Sequence, residues 1–246
     1  MLANSLAYAV EVMGEWGDDM AFLQLQYYAQ TGQTLADGGD FSAIPDEALD
    51  GSVFDAAVAE YSALATRFLD VMVDRVADEF RSDTRPYRRL TSRWAADAVN
   101  PEVDDLSPYL CDGLANLRAA LHAAEDALNA VAFGRFWRAL ATRLDTYMYD
   151  DVICQNRFGR LGGAQMATDV DALVSLFRPF TRAPAAFFKQ AKDATTLLTL
   201  PNNEARALRA GLDPDAASSS SLEAHGIVNL SPRMALFNLD DRVDLK

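Results

Sequence analysis

Three features predict an all-α protein. Apolar residues recur every three or four positions in five separate stretches, and no stretch of similar length alternates apolar with polar. Glycine, proline and asparagine fall mainly between those stretches rather than within them. The longest stripe is Phe54, Val58, Tyr61, Ala65, Phe68, Met72, Val76 and Phe80, which reads as one helix from Ser52 to about Arg81. At 1.5 Å per residue that helix spans roughly 45 Å. A second stripe runs Leu106, Leu110, Leu114, Leu117, Leu121 and Leu128, and a third Phe133, Trp137, Leu140, Leu144, Tyr147 and Val152. The fourth uses Met166, Val170, Leu173, Phe177 and Phe180, the fifth Phe187, Ala191, Thr195 and Leu198.

The breaks follow the same logic. Gly32, Gly38 and Gly39 separate a first helix, carrying Leu2, Leu6, Val12 and Trp16, from the long one, and Pro45 sits near the next start. Asn100-Pro101 divides the long helix from the Leu106 stripe, and Gly162-Gly163 precede the Met166 helix. Ala183-Pro184 can open the fifth helix, because a proline in the first turn loses no hydrogen bond. The run Ala216 to Ser221 reads as a flexible linker. Ser231-Pro232 reads as an N-cap with a first-position proline, opening a short helix through Met234, Phe237 and Leu239. These boundaries give a first helical bundle over 1–100, a second over 101–212, a linker over 213–230 and a short C-terminal helix over 231–246. The first helix has no cap before it, which leads us to expect the C-terminal part of something longer.

Composition narrows the function. The chain has 246 residues, 50% hydrophobic and 24% charged, enough for one large domain or two small ones. No run approaches a membrane-spanning helix, and the first twenty residues lack the basic n-region of a secretory signal. Cys111 and Cys154 form no CxxC pair, which argues against a disulfide framework or zinc cluster and for a reducing, cytosolic or nuclear setting. The net charge is −14, and residues 1–66 hold eleven acids and no base. Such a chain repels a phosphate backbone, so nucleic acid is not an expected partner.

Catalytic patterns are few. Gly159-Arg160-Leu161-Gly162-Gly163 lacks the lysine and hydroxyl of a P-loop, and GxGxxG, GxSxG and HExxH do not occur. His122 and His225 have no Glu three residues before them, which argues against a di-iron bundle. Asp169 and Asp171 imitate the start of a calcium loop without its glycine or closing glutamate. Asp240-Asp241-Arg242-Val243-Asp244 spells DDxxD, the magnesium-diphosphate pattern of all-α terpenoid synthases. It lies two residues from the end, where we read a solvated acidic terminus instead. No catalytic residue, metal ligand or cofactor is expected. One basic cluster, Arg81, Arg85, Arg88, Arg89 and Arg93, suits an acidic partner helix or anionic lipid headgroups. Its bland alternative is pairing with the acidic first third of the chain.

The segment from 136 to 188 carries a family likeness. Phe136-Trp137-x2-Leu140-Ala141-x2-Leu144-Asp145-x-Tyr147 leads into Asn156-x-Phe158, then Gly163-Ala164-Gln165-x3-Asp169-x3-Leu173-x2-Leu176-Phe177, then Pro184-x2-Phe187-Phe188. Trp16-Gly17-Asp18 with Phe22-Leu23-Gln24-Leu25, and the ending Gly226-Ile227-x2-Leu230-Ser231-Pro232 with Arg242-x-Asp244, extend it over most of the chain. The pattern resembles the C-terminal region of the RINT/TIP family, tethering subunits of the Dsl/NRZ complex at the endoplasmic reticulum. The resemblance implies an elongated stack of antiparallel helical bundles, as in multisubunit tethers, without catalysis. It implies cytoplasmic proteins peripheral to the endoplasmic reticulum membrane that capture Golgi-derived retrograde vesicles. Their partners would be SNARE proteins of that membrane and other Dsl/NRZ-type subunits. Members join the complex mainly through an N-terminal half for which this chain shows no counterpart. Under the same resemblance Phe136, Trp137, Leu140, Asp145, Phe158, Gly163, Ala164, Gln165, Asp169 and Phe177 are structural signature residues. An exocyst-type tether at another membrane is the runner-up, and a magnesium-dependent enzyme using Asp240, Asp241 and Asp244 the rival.

Overall fold

The computed structural model describes residues 2–31, 51–97, 105–216 and 219–245, and all the regular structure there is helical. The expected breaks at Gly32, Gly38, Gly39, Pro45 and Asn100-Pro101 lie outside the described residues. The chain divides into two compact units, Met1–Met72 with Glu125–Arg135, and Val73–Ala124 with Phe136–Lys246. Three long helices each contribute residues to both units. These are α3 (Asp55–Asp83), α6 (Pro108–Ala127) and α7 (Ala130–Thr146).

In the first unit, α1 (Leu2–Gly17) and α2 (Met20–Thr31) meet at a ring cluster. Phe22 lies 5.9 Å from Trp16 and 5.0 Å from Phe54, the latter edge-on, a geometry that sets a positive ring edge against a negative face. Asn4 of α1 spans the turn before α7: its amide donates to the Ala127 carbonyl at 2.9 Å and its oxygen accepts from Asn129 N–H at 2.9 Å. The start of α3 is capped locally, with Asp55 accepting from Ser52 N–H at 2.8 Å.

The second unit is built around α9 (Lys189–Thr199), which packs against α8 (Arg160–Ser175), α12 (Pro232–Asp240) and the segment after α7. Met166, Val170 and Leu173 of α8 are buried, as are Ala191, Ala194 and Leu197 of α9. The third expected stripe is buried throughout. Its last step, from Tyr147 to Val152, is one residue too long for an α-helix. The backbone absorbs the excess by widening into a π-helix over Tyr147–Ile153.

Several expectations are corrected. On α3 the buried face is Leu69, Val73, Ala77 and Phe80, whereas Tyr61 and Phe68 of the expected stripe are exposed. Gly162 and Gly163 lie inside the first turn of α8, not before it. Pro184 opens a 3-10 turn, Pro184–Phe187, and α9 starts only at Lys189. Part of the expected linker is ordered: α11 (Ser220–Ala224) forms there and Leu222, Ile227 and Leu230 are buried. Asp193 of α9 holds that stretch, accepting from the N–H groups of Val228 at 2.9 Å and Asn229 at 2.6 Å. The serine run obscured these apolar residues. The Ser231 cap forms as read, accepting from Met234 N–H at 3.3 Å with Pro232 in the first turn.

Candidate functional site

Both ends of α9 are met by side chains of opposite sign to the helix dipole. At its start, the Asp145 carboxyl from the end of α7 accepts from Gln190 N–H at 3.1 Å and Ala191 N–H at 2.8 Å. Burial raises the Asp145 carboxyl above its ordinary range, against the opposing pull of those N–H groups. At its end, Arg242 donates from Nη1 to the carbonyls of Leu197 at 3.0 Å and Leu200 at 2.8 Å. Its remaining donors reach Asn202 Oδ1 at 3.0 Å and the Asp244 carboxylate at 2.8 and 3.2 Å. Arg242 is buried with every donor group engaged, which makes it a fastening and not a surface charge. We expect Asp145→Ala to cost about 1–2 kcal/mol in urea unfolding, the usual worth of a helix cap.

Arg242 also fixes a chain crossing. Phe158 N–H donates to the Asp241 carbonyl at 3.1 Å and Val243 N–H to the Phe158 carbonyl at 2.8 Å, forming a parallel bridge. Phe158 packs on Trp94, 5.7 Å between ring centres, and Trp94 on Tyr87, edge-on at 5.0 Å. Gly159 N–H donates to the Trp94 carbonyl at 2.8 Å. A Cβ on Gly162 would collide with that carbonyl, so only glycine permits the contact. A Cβ on Gly163 would stand 2.8 Å from the Leu198 carbonyl, so this glycine lets α8 approach α9.

The other signature residues lie in the same unit. Phe136, Trp137, Leu140, Phe158 and Phe177 are buried, Ala164 is half-buried, and Trp137 meets Phe187 edge-on at 4.9 Å. Asp169, fully buried, gathers four donors: Ser107 N–H at 2.9 Å, Ser107 Oγ at 2.6 Å, Tyr87 Oη at 3.0 Å and Gln165 Nε2 at 3.1 Å. That network joins α8 to the start of α6 and to α4 (Arg85–Arg88). In the sequence Asp169 carries a calcium-loop likeness and a family match, and its expected role is structural, capping or pairing inside the bundle. The hydroxyl partners at 87 and 107 are distant in sequence and gave no local signal.

Burial raises the tyrosine hydroxyls of Tyr87, Tyr147 and Tyr149, and the Cys154 thiol in the same direction. The folded chain therefore keeps protons that the unfolded chain releases above about pH 9 from the thiol and above about pH 10 from the tyrosines. Stability is full below about pH 9 and falls as pH rises, most steeply beyond about pH 10, where the three tyrosines act. The urea midpoint should drop between about pH 10 and pH 11.5, with a shallower drop in Tyr149→Phe. An unchanged midpoint over that window would count against the buried hydroxyls.

The arginine cluster spreads over the end of α3, α4 and α5 (Thr91–Trp94). Arg81 pairs with Asp78 at 3.2 Å and approaches Asp151 at 4.0 Å, as does Arg88 at 4.0 Å. Asp78 stands inside the first third of the chain that the bland alternative named, and Asp151 beyond it. Arg93 is half-buried, while Arg85 and Arg89 are exposed, with no ion pair to a carboxylate among the described residues. Arg88 and Arg89 border an open depression of about 520 Å³ with Thr91, Gln155 and Asn156.

The three acids of the DDxxD pattern do not converge. Asp240 pairs with Arg209 at 2.5 Å, Asp241 approaches Arg157 at 3.9 Å, and Asp244 is buried against Arg242. The solvated acidic end expected there is thus corrected at Asp244. Among the described residues no group of three His, Cys, Asp or Glu side chains could hold a metal. Among the same residues no helix is long and apolar enough to cross a membrane.

Fold and site together define an all-α bundle protein whose conspicuous polar groups fasten helices to one another. The family model of RINT-1/TIP-1 proteins matches residues 1–242, and the chain belongs to that family. It is 26% identical over 250 residues to a RINT1-like protein of Drosophila melanogaster, covering 100% of this chain and 33% of that one. Identity to the RINT1-like protein MAG2 of Arabidopsis thaliana is 23% over 204 residues, covering 82% and 25%. The chain thus spans between a quarter and a third of the length of these curated relatives. The fold also resembles a chain in the crystal structure of the SNARE Sec20 bound to the Dsl1 complex subunit Tip20. There the TM-score is 0.67 at 16% identity, covering 97% of this chain and 40% of that one.

Proposed function

We propose that this chain is a non-catalytic vesicle-tethering subunit, or the C-terminal part of one, in Golgi-to-endoplasmic-reticulum retrograde transport. It acts at the cytoplasmic side of the endoplasmic reticulum membrane, peripherally, through contacts with SNAREs of that membrane and other Dsl/NRZ-type subunits. The observation that carries this reading is the family match over residues 1–242. The resemblance to a fold seen in a complex of a SNARE with a tether subunit supports it. So does the chemistry of the polar groups: buried Asp145, Asp169, Asp193 and Arg242 are all occupied by backbone or side-chain partners, which suits a scaffold. The domain reading goes with it, with 101–212 carrying the signature bundle. The proposed partner contact is the arginine cluster, with exposed Arg85 and Arg89 foremost and Arg81, Arg88 and Arg93 beside them.

The test is capture from detergent-solubilised endoplasmic reticulum membranes on the immobilised chain, with bound proteins identified by mass spectrometry. Retrograde SNAREs or Dsl/NRZ subunits are the expected yield. Exocyst subunits or plasma-membrane SNAREs would shift the reading to the runner-up, and no specific capture by the folded chain would overturn it.

A further inference from the structure

A groove in the first unit is independent of the arginine cluster. Ala7 and Val10 of α1, Ala65 and Leu69 of α3, and Val131 and Ala132 of α7 line a hollow of about 380 Å³. Its floor is small, with alanines on each of the three helices, and such positions let another helix approach closely. Val131 on its wall is 69% exposed, and the neighbouring helices also expose Tyr8, Tyr61, Leu64 and Phe68. Large exposed apolar side chains gathered around a trough mark an interaction surface more often than chance.

Charge narrows the occupant. Among the described residues of this unit nine are acidic, Glu11, Glu15, Asp18, Asp19, Asp55, Glu60, Asp70, Glu125 and Asp126, and only Arg67 and Arg135 are basic. Glu11 and Arg135 both stand in the lining itself, so the excess of negative charge comes from the rest of the unit. An apolar trough in a strongly acidic unit repels an acidic helix and draws a cationic one. We infer that this groove docks a cationic amphipathic helix of a partner protein, its apolar stripe in the trough and its basic flanks drawn to the unit's acidic residues. The inference stands on the groove and its charge, whatever membrane the protein serves.

The probe is a fluorescent Leu/Lys peptide of about 18 residues, roughly 27 Å of helix, with its leucines on one face. A scrambled isomer of equal charge and a Leu/Glu counterpart accompany it. Fluorescence anisotropy with the full chain should show the faced Leu/Lys peptide binding at least about tenfold more tightly than its isomer, with no binding by the Leu/Glu peptide. Ala65→Arg, which fills and charges the floor, should weaken binding at least about tenfold. Val131→Arg, at an exposed site that does not bear on folding, should do the same and guards against a misfolded first variant. Equal binding of the scrambled isomer, or unchanged binding by Val131→Arg, would overturn the inference. A concentration-dependent dimer that Val131→Arg dissolves would also overturn it, by making a second copy the occupant.

Discussion

Gly162→Ala should destabilise the chain by more than about 3 kcal/mol, at the upper end of what a single added methyl does in a packed interior. The added Cβ has no flexible side chain to displace. It meets the Trp94 carbonyl, whose own partner is Gly159 N–H at 2.8 Å, so either α8 or the Trp94 backbone must move. Moving either one disturbs the Tyr87, Trp94 and Phe158 ring stack. Gly14 offers the control. A Cβ there meets nothing within 4 Å, so Gly14→Ala in α1 should stabilise by about 0.5–1 kcal/mol through helix propensity. Urea unfolding of both variants gives the comparison, and a Gly162→Ala midpoint equal to the parent's would contradict the packing described for α8.

Arg242→Ala should cost about 3–5 kcal/mol, because it leaves a buried carboxylate and two helix-end carbonyls without their donor. Asp244, with a side chain 1% exposed, would keep only Arg160 Nε, 3.7 Å away. The carbonyls of Leu197 and Leu200 would lose the cation that ends α9. Replacing both partners, Arg242→Leu with Asp244→Leu, should recover part of the loss, since an apolar pair carries no orphaned charge. If the single variant melts within about 0.5 kcal/mol of the parent, the C-terminal segment is not fastened as described.

Much of this fold was legible in the sequence because the interior helices carry one apolar face. The stripes of α6, α7, α8 and α9 needed little else. On α3 the reading failed for a definite reason: Phe68, Met72 and Val76 lie beside Leu69, Val73 and Ala77, and both sets repeat at helical spacing. Periodicity finds a broad apolar face there and does not choose its centre; packing with the other helices does. The π-helix was foreshadowed by the five-residue step from Tyr147 to Val152, which no regular α-helix accommodates on one face.

The polar fastenings were less legible. Asp145 and Asp169 were singled out by family pattern, yet their partners at 190, 191, 87 and 107 come from remote segments. Arg242 stands in the sequence within the DDxxD string and the family's closing Arg242-x-Asp244, and it is the centre of the arrangement. Between two acids near a chain end, an arginine has the same local signature whether solvated or buried, and only the tertiary fold distinguishes the two. The 219–230 stretch was hidden by serine composition although Leu222, Ile227 and Leu230 supply its anchors.

The proposed tethering role is tested most directly by titrating the purified cytoplasmic domain of an endoplasmic reticulum SNARE onto the full chain by calorimetry, beside the double variant Arg85→Glu with Arg89→Glu. Both arginines are exposed, so the variant should melt with the parent. The account predicts saturable binding to the parent and at least about tenfold weaker binding to the variant. No binding to the parent would contradict the tethering role, and equal binding by parent and variant would contradict the arginine cluster as its contact.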